Sequence, residues 1–90
     1  MIRGKNVKMT VIDIAEGFTI VNPILLKSLD EDTLKELHAA LHKHMVDIRR
    51  EKFPFHDPEA LRLRNMKLQR LNNSDVVVRA FAKTRRILLI

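Results

Sequence analysis

His38 and His42 stand four residues apart, a spacing that places both imidazoles on one face of a helix, where they could share a zinc ion. No HExxH pattern surrounds them and the sequence sets no carboxylate ligand beside them, so the spacing alone implies two polar residues on the flank of an amphipathic helix and no metal site. His44 has no partner implied by spacing. His56 precedes Asp57 in the manner of a catalytic dyad, yet Asp57 also occupies a helix-cap position. The two serines, Ser28 and Ser74, fit caps better than nucleophiles. Glycine occurs only at positions 4 and 17, so no loop can cradle a phosphate. The chain has no cysteine, which excludes disulfides, thiol catalysis and cysteine-bound zinc. These residues argue against an enzyme and imply no cofactor.

The stronger chemical signal is positive charge. RREKFPFHDPEALRLR, residues 49–64, sets Arg49, Arg50, Lys52, Arg62 and Arg64 around Phe53 and Phe55. It is either a grip on a polyanion or a turn between two helices. The net charge of +6 is uneven. Residues 1–47 carry six Lys and Arg against seven acids, net −1; residues 48–90 carry eleven against four, net +7. Eight of those eleven are arginine, whose planar guanidinium suits phosphate and carboxylate. The asymmetry favours an anionic partner over a merely solubilising surface.

Ninety residues suffice for one small domain, which buries only about 60 to 65% of the surface its unfolded chain exposes. With 46% hydrophobic and 31% charged residues the chain is expected to fold. No run approaches the roughly 18 uncharged apolar residues of a membrane span, and MIRGKNVK does not read as a signal peptide. A cytoplasmic protein, cellular or viral, and no membrane contact are the expectation.

The elements that must position the charges read as α+β. Asn6 to Ile14 is rich in β-branched residues, and with Phe18 to Val21 it predicts an N-terminal β-hairpin over about residues 6–22, turning at Gly17. Ser28 and Glu31 have capping-box spacing, with Asp30, Glu31 and Asp32 at the positive end of the helix dipole. Leu34, Leu37, Leu41, Met45 and Ile48 form one helical stripe, so a helix is expected over about 30–52. Pro54 and Pro58 make FPFHD a connection, with Asp57 as N-cap and Pro58 opening a second helix over about 58–71. The two helices form a hairpin whose end Phe53 and Phe55 would close. Leu63 and Met66 fall on a different side of the second helix from Leu61, Leu68 and Leu71, which implies two apolar contacts. The C-terminal ILLI implies the same adhesive character, to be covered by a homodimer or a partner protein.

Asn72, Asn73 and Ser74 predict a break, and Ser74 or Asp75 a new cap, with a third helix over about 75–88. Over these 20 or so residues LQRLNNSDVVVRAFAKTRR resembles a helix-turn-helix unit: a helix ending at Leu71, a polar turn, Ser74 as cap, an aliphatic at Val78 and cations beyond. The resemblance implies a recognition helix from Asp75 to Arg86. Asp75 and Arg79 would then lie near base edges and Lys83, Arg85 and Arg86 near phosphates, with Arg62, Arg64, Lys67 and Arg70 approaching the backbone. Without Tyr or Trp, and with only Phe53 and Phe55 among cations to stack on an unpaired base, DNA is favoured over RNA.

The reading is a non-catalytic α+β protein, a DNA-binding regulator acting through the arginines from Arg49 onward. The alternative is an inhibitor or assembly adaptor that docks Phe53, Phe55, Leu63 and Met66 on an acidic, partly apolar partner.

Overall fold

The computed structural model describes residues 6–89, and among them there is no strand. Four helices follow in order: α1 (Val7–Glu16), α2 (Pro23–Lys27), α3 (Glu31–Arg50) and α4 (Pro58–Thr84). The predicted N-terminal β-hairpin and the α+β class are therefore corrected to an all-helical fold. The stretch read as a strand is α1, because Val7, Thr10, Val11 and Ile14 are buried together at helical spacing. Asn6 caps it, its side-chain oxygen accepting from the Met9 amide at 2.8 Å. β-Branched residues prefer strands only weakly, and burial of one helical stripe outweighs that preference.

Gly17 ends α1 in the left-handed conformation, φ 85°. The Gly17 amide donates to the Ile14 carbonyl and the Phe18 amide to that of Asp13, which closes the helix. Asn22 caps α2 and Pro23 opens it. The cap of α3 is Asp30, whose carboxylate accepts from the Thr33 amide at 2.7 Å; Ser28, expected in that role, lies at the C-terminal end of α2. Hydrogen bonding from the Thr33 side chain, and after it from the Thr33 amide, pulls the Asp30 carboxyl below its ordinary range.

The third predicted boundary is absent: α4 runs unbroken for 27 residues through Asn72, Asn73 and Ser74, about 40 Å at 1.5 Å per residue. Asn72 and Asn73 stay helical with their side chains in solvent, while Ser74 is buried. Burial of Leu71, Val78 and Ala82 continues the apolar stripe past these residues, and tertiary packing overrides their turn preference. No turn separates two helices there, so the helix-turn-helix resemblance fails.

α3 and α4 form an antiparallel hairpin, with α1 packed against both and α2 against α4. Leu34, Leu37, Leu41, Met45 and Ile48 of α3 face Leu71, Val78 and Ala82 of α4, and Val7, Val11, Ile14, Val21 and Leu26 close the core. Leu26, Leu37, Leu41, Leu71 and Val78 are completely buried, each contributing roughly 1.5–3 kcal/mol. Ile87 and Leu89 pack on this core, so among the described residues of ILLI only Leu88 is strongly exposed; Ile90 lies outside them.

Candidate functional site

The continuous helix divides the predicted nucleic-acid-binding cations between two ends of the molecule. Arg49, Arg50 and Lys52 leave α3 where α4 enters with Arg62 and Arg64, whereas Lys83, Arg85 and Arg86 lie at the far end of α4. Several of the cations are engaged within the fold. The Arg70 guanidinium donates to the Ala15 carbonyl at 3.0 Å, binding α4 to the carbonyl end of α1, where a cation is favoured. Lys67 reaches Glu16 at 3.3 Å. Arg79 Nε lies 3.0 Å from Asp75, and Asp75 is 1% exposed, so the predicted contact of Asp75 with base edges is excluded by burial.

At the α3–α4 elbow Phe53 and Phe55 do not pack between the helices as expected. They are 40% and 78% exposed and rest on each other, ring centroids 4.8 Å apart and tilted by 53°. Phe55 N–H donates to the Phe53 carbonyl at 3.0 Å, and the tight turn holds both rings outward. The Arg64 guanidinium lies over the Phe53 ring at 5.2 Å, a cation–π contact, and its Nε is buried with no acceptor among the described residues. Asp57 caps α4 by accepting from the Ala60 amide at 3.0 Å. Arg62 donates to Glu59 at 2.7 Å; the guanidinium holds the Glu59 carboxyl below its ordinary range, and the carboxylate raises Arg62. Arg49, Arg50 and Lys52, which immediately precede this aromatic pair in the chain, are exposed.

Of the expected partner-binding residues, Leu63 is 45% exposed and lines a groove with Ile12, Pro54 and Ala60. Met66 is half-buried and its sulfur receives Arg62 Nη1 at 3.3 Å. Phe18, Ile20 and Ile24, close together in the chain and not singled out from the sequence as partner-binding, are each about 80% exposed, and a separate groove between α2 and α4 is lined by Pro23, Val76, Val77, Ala80 and Phe81.

The fold also supplies the carboxylate that the sequence did not set beside the two histidines. His38 Nδ1 lies 2.7 Å from Asp75 Oδ1 and His42 Nε2 3.0 Å from Oδ2, with the two rings 4.5 Å apart. An ionised carboxylate only accepts, so each imidazole donates through the nitrogen facing it. A helix break before Asp75 had hidden this pairing. With α4 continuous and antiparallel to α3, Asp75 faces the middle of α3.

No family model, no curated protein and no solved structure matches the chain. Among the described residues no helix is long and apolar enough to cross a membrane.

Proposed function

We propose that the protein acts by binding, without catalysis, and that its ligand is a single-stranded nucleic acid held at the α3–α4 elbow. The observation that carries this reading is the outward-facing pair Phe53 and Phe55 among Arg49, Arg50, Lys52 and Arg64. Exposed aromatic rings offer faces on which unpaired bases stack, at about 1–3 kcal/mol per base, and flanking guanidinium groups take the phosphates. A duplex keeps its bases stacked on one another and gives these rings nothing to hold. The loss of the helix-turn-helix geometry removes the reason to prefer duplex DNA. The test is fluorescence anisotropy of a labelled single strand and of the corresponding duplex. The single strand is expected to bind more tightly, and Phe55→Ala to weaken it by about 1–3 kcal/mol. Equal affinity for both forms, unchanged by Phe55→Ala, would sink the proposal.

A second reading, a protein-docking module, is favoured by Phe18, Ile20 and Ile24, three large apolar side chains within seven residues of the chain, each about 80% exposed. Large contiguous apolar surface is rare on monomeric proteins and marks docking sites. Under this reading Ile20→Asp with Ile24→Asp abolishes partner capture and leaves oligonucleotide binding intact. Sedimentation velocity over a concentration series shows whether the partner is a second copy of the chain.

A further inference from the structure

We infer that His38, His42 and Asp75 form a binding site for a divalent transition-metal ion of the zinc type, bridging α3 and α4. The three residues each offer one ligand atom, and these atoms all lie within 4.8 Å of one another. His38 and His42 come from successive turns of α3, and Asp75 comes from the facing side of α4. Two zinc bonds of about 2.1 Å at a tetrahedral angle separate their ligand atoms by about 3.4 Å. The contacts from His38 and His42 run to different oxygens of Asp75, at 2.7 and 3.0 Å, and the ligand atoms spread over as much as 4.8 Å, so the short contacts open by about 0.4–0.7 Å and the widest pair closes by about 1.4 Å to share one ion. The structure has room for that movement: the His42 side chain is 54% exposed, whereas His38 and Asp75 are held at 15% and 2%.

The donor set selects the class of metal. Two imidazole nitrogens and one carboxylate oxygen suit zinc, copper, nickel or cobalt; calcium and magnesium require oxygen ligands throughout. Three protein ligands with the exposed His42 at the rim leave a fourth position for water or a further ligand. Arg79 donates to Asp75 Oδ2 from one turn further along α4 and so orients the carboxylate, the role of an outer hydrogen-bond partner in metal sites. On binding, each ring gives up the proton on its carboxylate-facing nitrogen and presents that lone pair; a neutral ring takes a proton from solvent on its other nitrogen.

A hydrogen-bonded cluster without metal affinity is the competing account, and its own contacts are favourable enough to exist alone. The two differ in what zinc does. Isothermal titration of the full chain with zinc chloride in a non-chelating buffer is expected to show one saturable site, and cobalt(II) at the same site to give the intense visible absorption of tetrahedral coordination. Binding to the folded state raises the unfolding temperature by roughly 10–20 °C once zinc exceeds its dissociation constant about a hundredfold.

His42→Ala is expected to weaken zinc at least tenfold, while His44→Ala and His56→Ala, at the other described histidines, leave it unchanged. Asp75→Asn is the sharper variant, but its burial makes misfolding a real outcome, so circular dichroism accompanies it and His42→Ala decides if it fails to fold. Absence of a saturable site, or zinc affinity that survives His42→Ala, would overturn the inference.

Discussion

Gly17 and Arg86 hold the same left-handed conformation at the ends of two helices, φ 85° and 57°, with opposite consequences. At Gly17 the absent side chain is required twice. A Cβ there pushes the backbone out of its easy region and meets the Arg70 guanidinium at 3.0 Å, displacing the group that serves the Ala15 carbonyl. Gly17→Ala is therefore expected to destabilise by at least about 1–2 kcal/mol, read as a lower urea midpoint with unchanged slope. Arg86 closes α4 through the same pair of bonds, its amide to the Lys83 carbonyl and that of Ile87 to Ala82, while carrying a side chain. Arg86→Gly should stabilise by about 1 kcal/mol in the same assay. The Gly17 bend was legible in the sequence because glycine marks it, although it closes a helix and not a hairpin. Nothing about Arg86 signals its turn, and Asp75 gave no sign of its burial because its imidazole partners lie more than thirty residues away.

At the scale of elements, what proved legible was what local chemistry decides. The stripe Leu34, Leu37, Leu41, Met45 and Ile48 and the Asp57–Pro58 start of α4 are both where residue spacing and capping place them. Misread elements were those in which tertiary contact overrides a local signal: β-branched α1, and α4 across Asn72 and Asn73. The continuity of α4 has a direct test. In an exposed helix interior asparagine is less favourable than alanine by up to about 0.7 kcal/mol, so Asn72→Ala with Asn73→Ala should raise stability by about 1 kcal/mol. If a turn lay there, the same pair would lower it; thermal unfolding followed by circular dichroism distinguishes the two. The cap of α3 adds a dependence on pH. Because the Asp30 carboxyl is held below its unfolded value of 3.8, the stability it contributes is present above that value and is lost as pH falls through the lower folded one. Asp30→Asn keeps the cap without the titration. The unfolding temperature of the wild type should thus fall more steeply than that of Asp30→Asn as the pH drops below about 4.

For the whole molecule, the decisive quantity is where the charge sits along a long axis of 44 Å. His38 and His42 lie opposite Asp75, so counting seven residues back along α3 and seven forward along α4 sets Glu31 beside Ala82. The cations Lys83, Arg85 and Arg86 thus share their end with Asp30, Glu31 and Asp32, and the acids offset their field. At the other end of the hairpin Arg64 lies over Phe53, and Arg49, Arg50 and Lys52 add their charge to that of Arg64. From Arg62 to Arg85 is about 35 Å along α4, several times the roughly 10 Å Debye length at 0.1 M salt, so the two groups act independently. A short single strand held by four elbow cations should lose affinity with salt at a logarithmic slope of about −3, since each phosphate contact contributes about −0.7. Arg49→Ala with Arg50→Ala should flatten that slope by about 1.4, and Lys83→Ala with Arg85→Ala should leave it as it was. Anisotropy titrations from about 50 to 300 mM salt measure all three. Equal flattening by both pairs would show that the strand responds to net charge alone, and the elbow would then hold no privileged place.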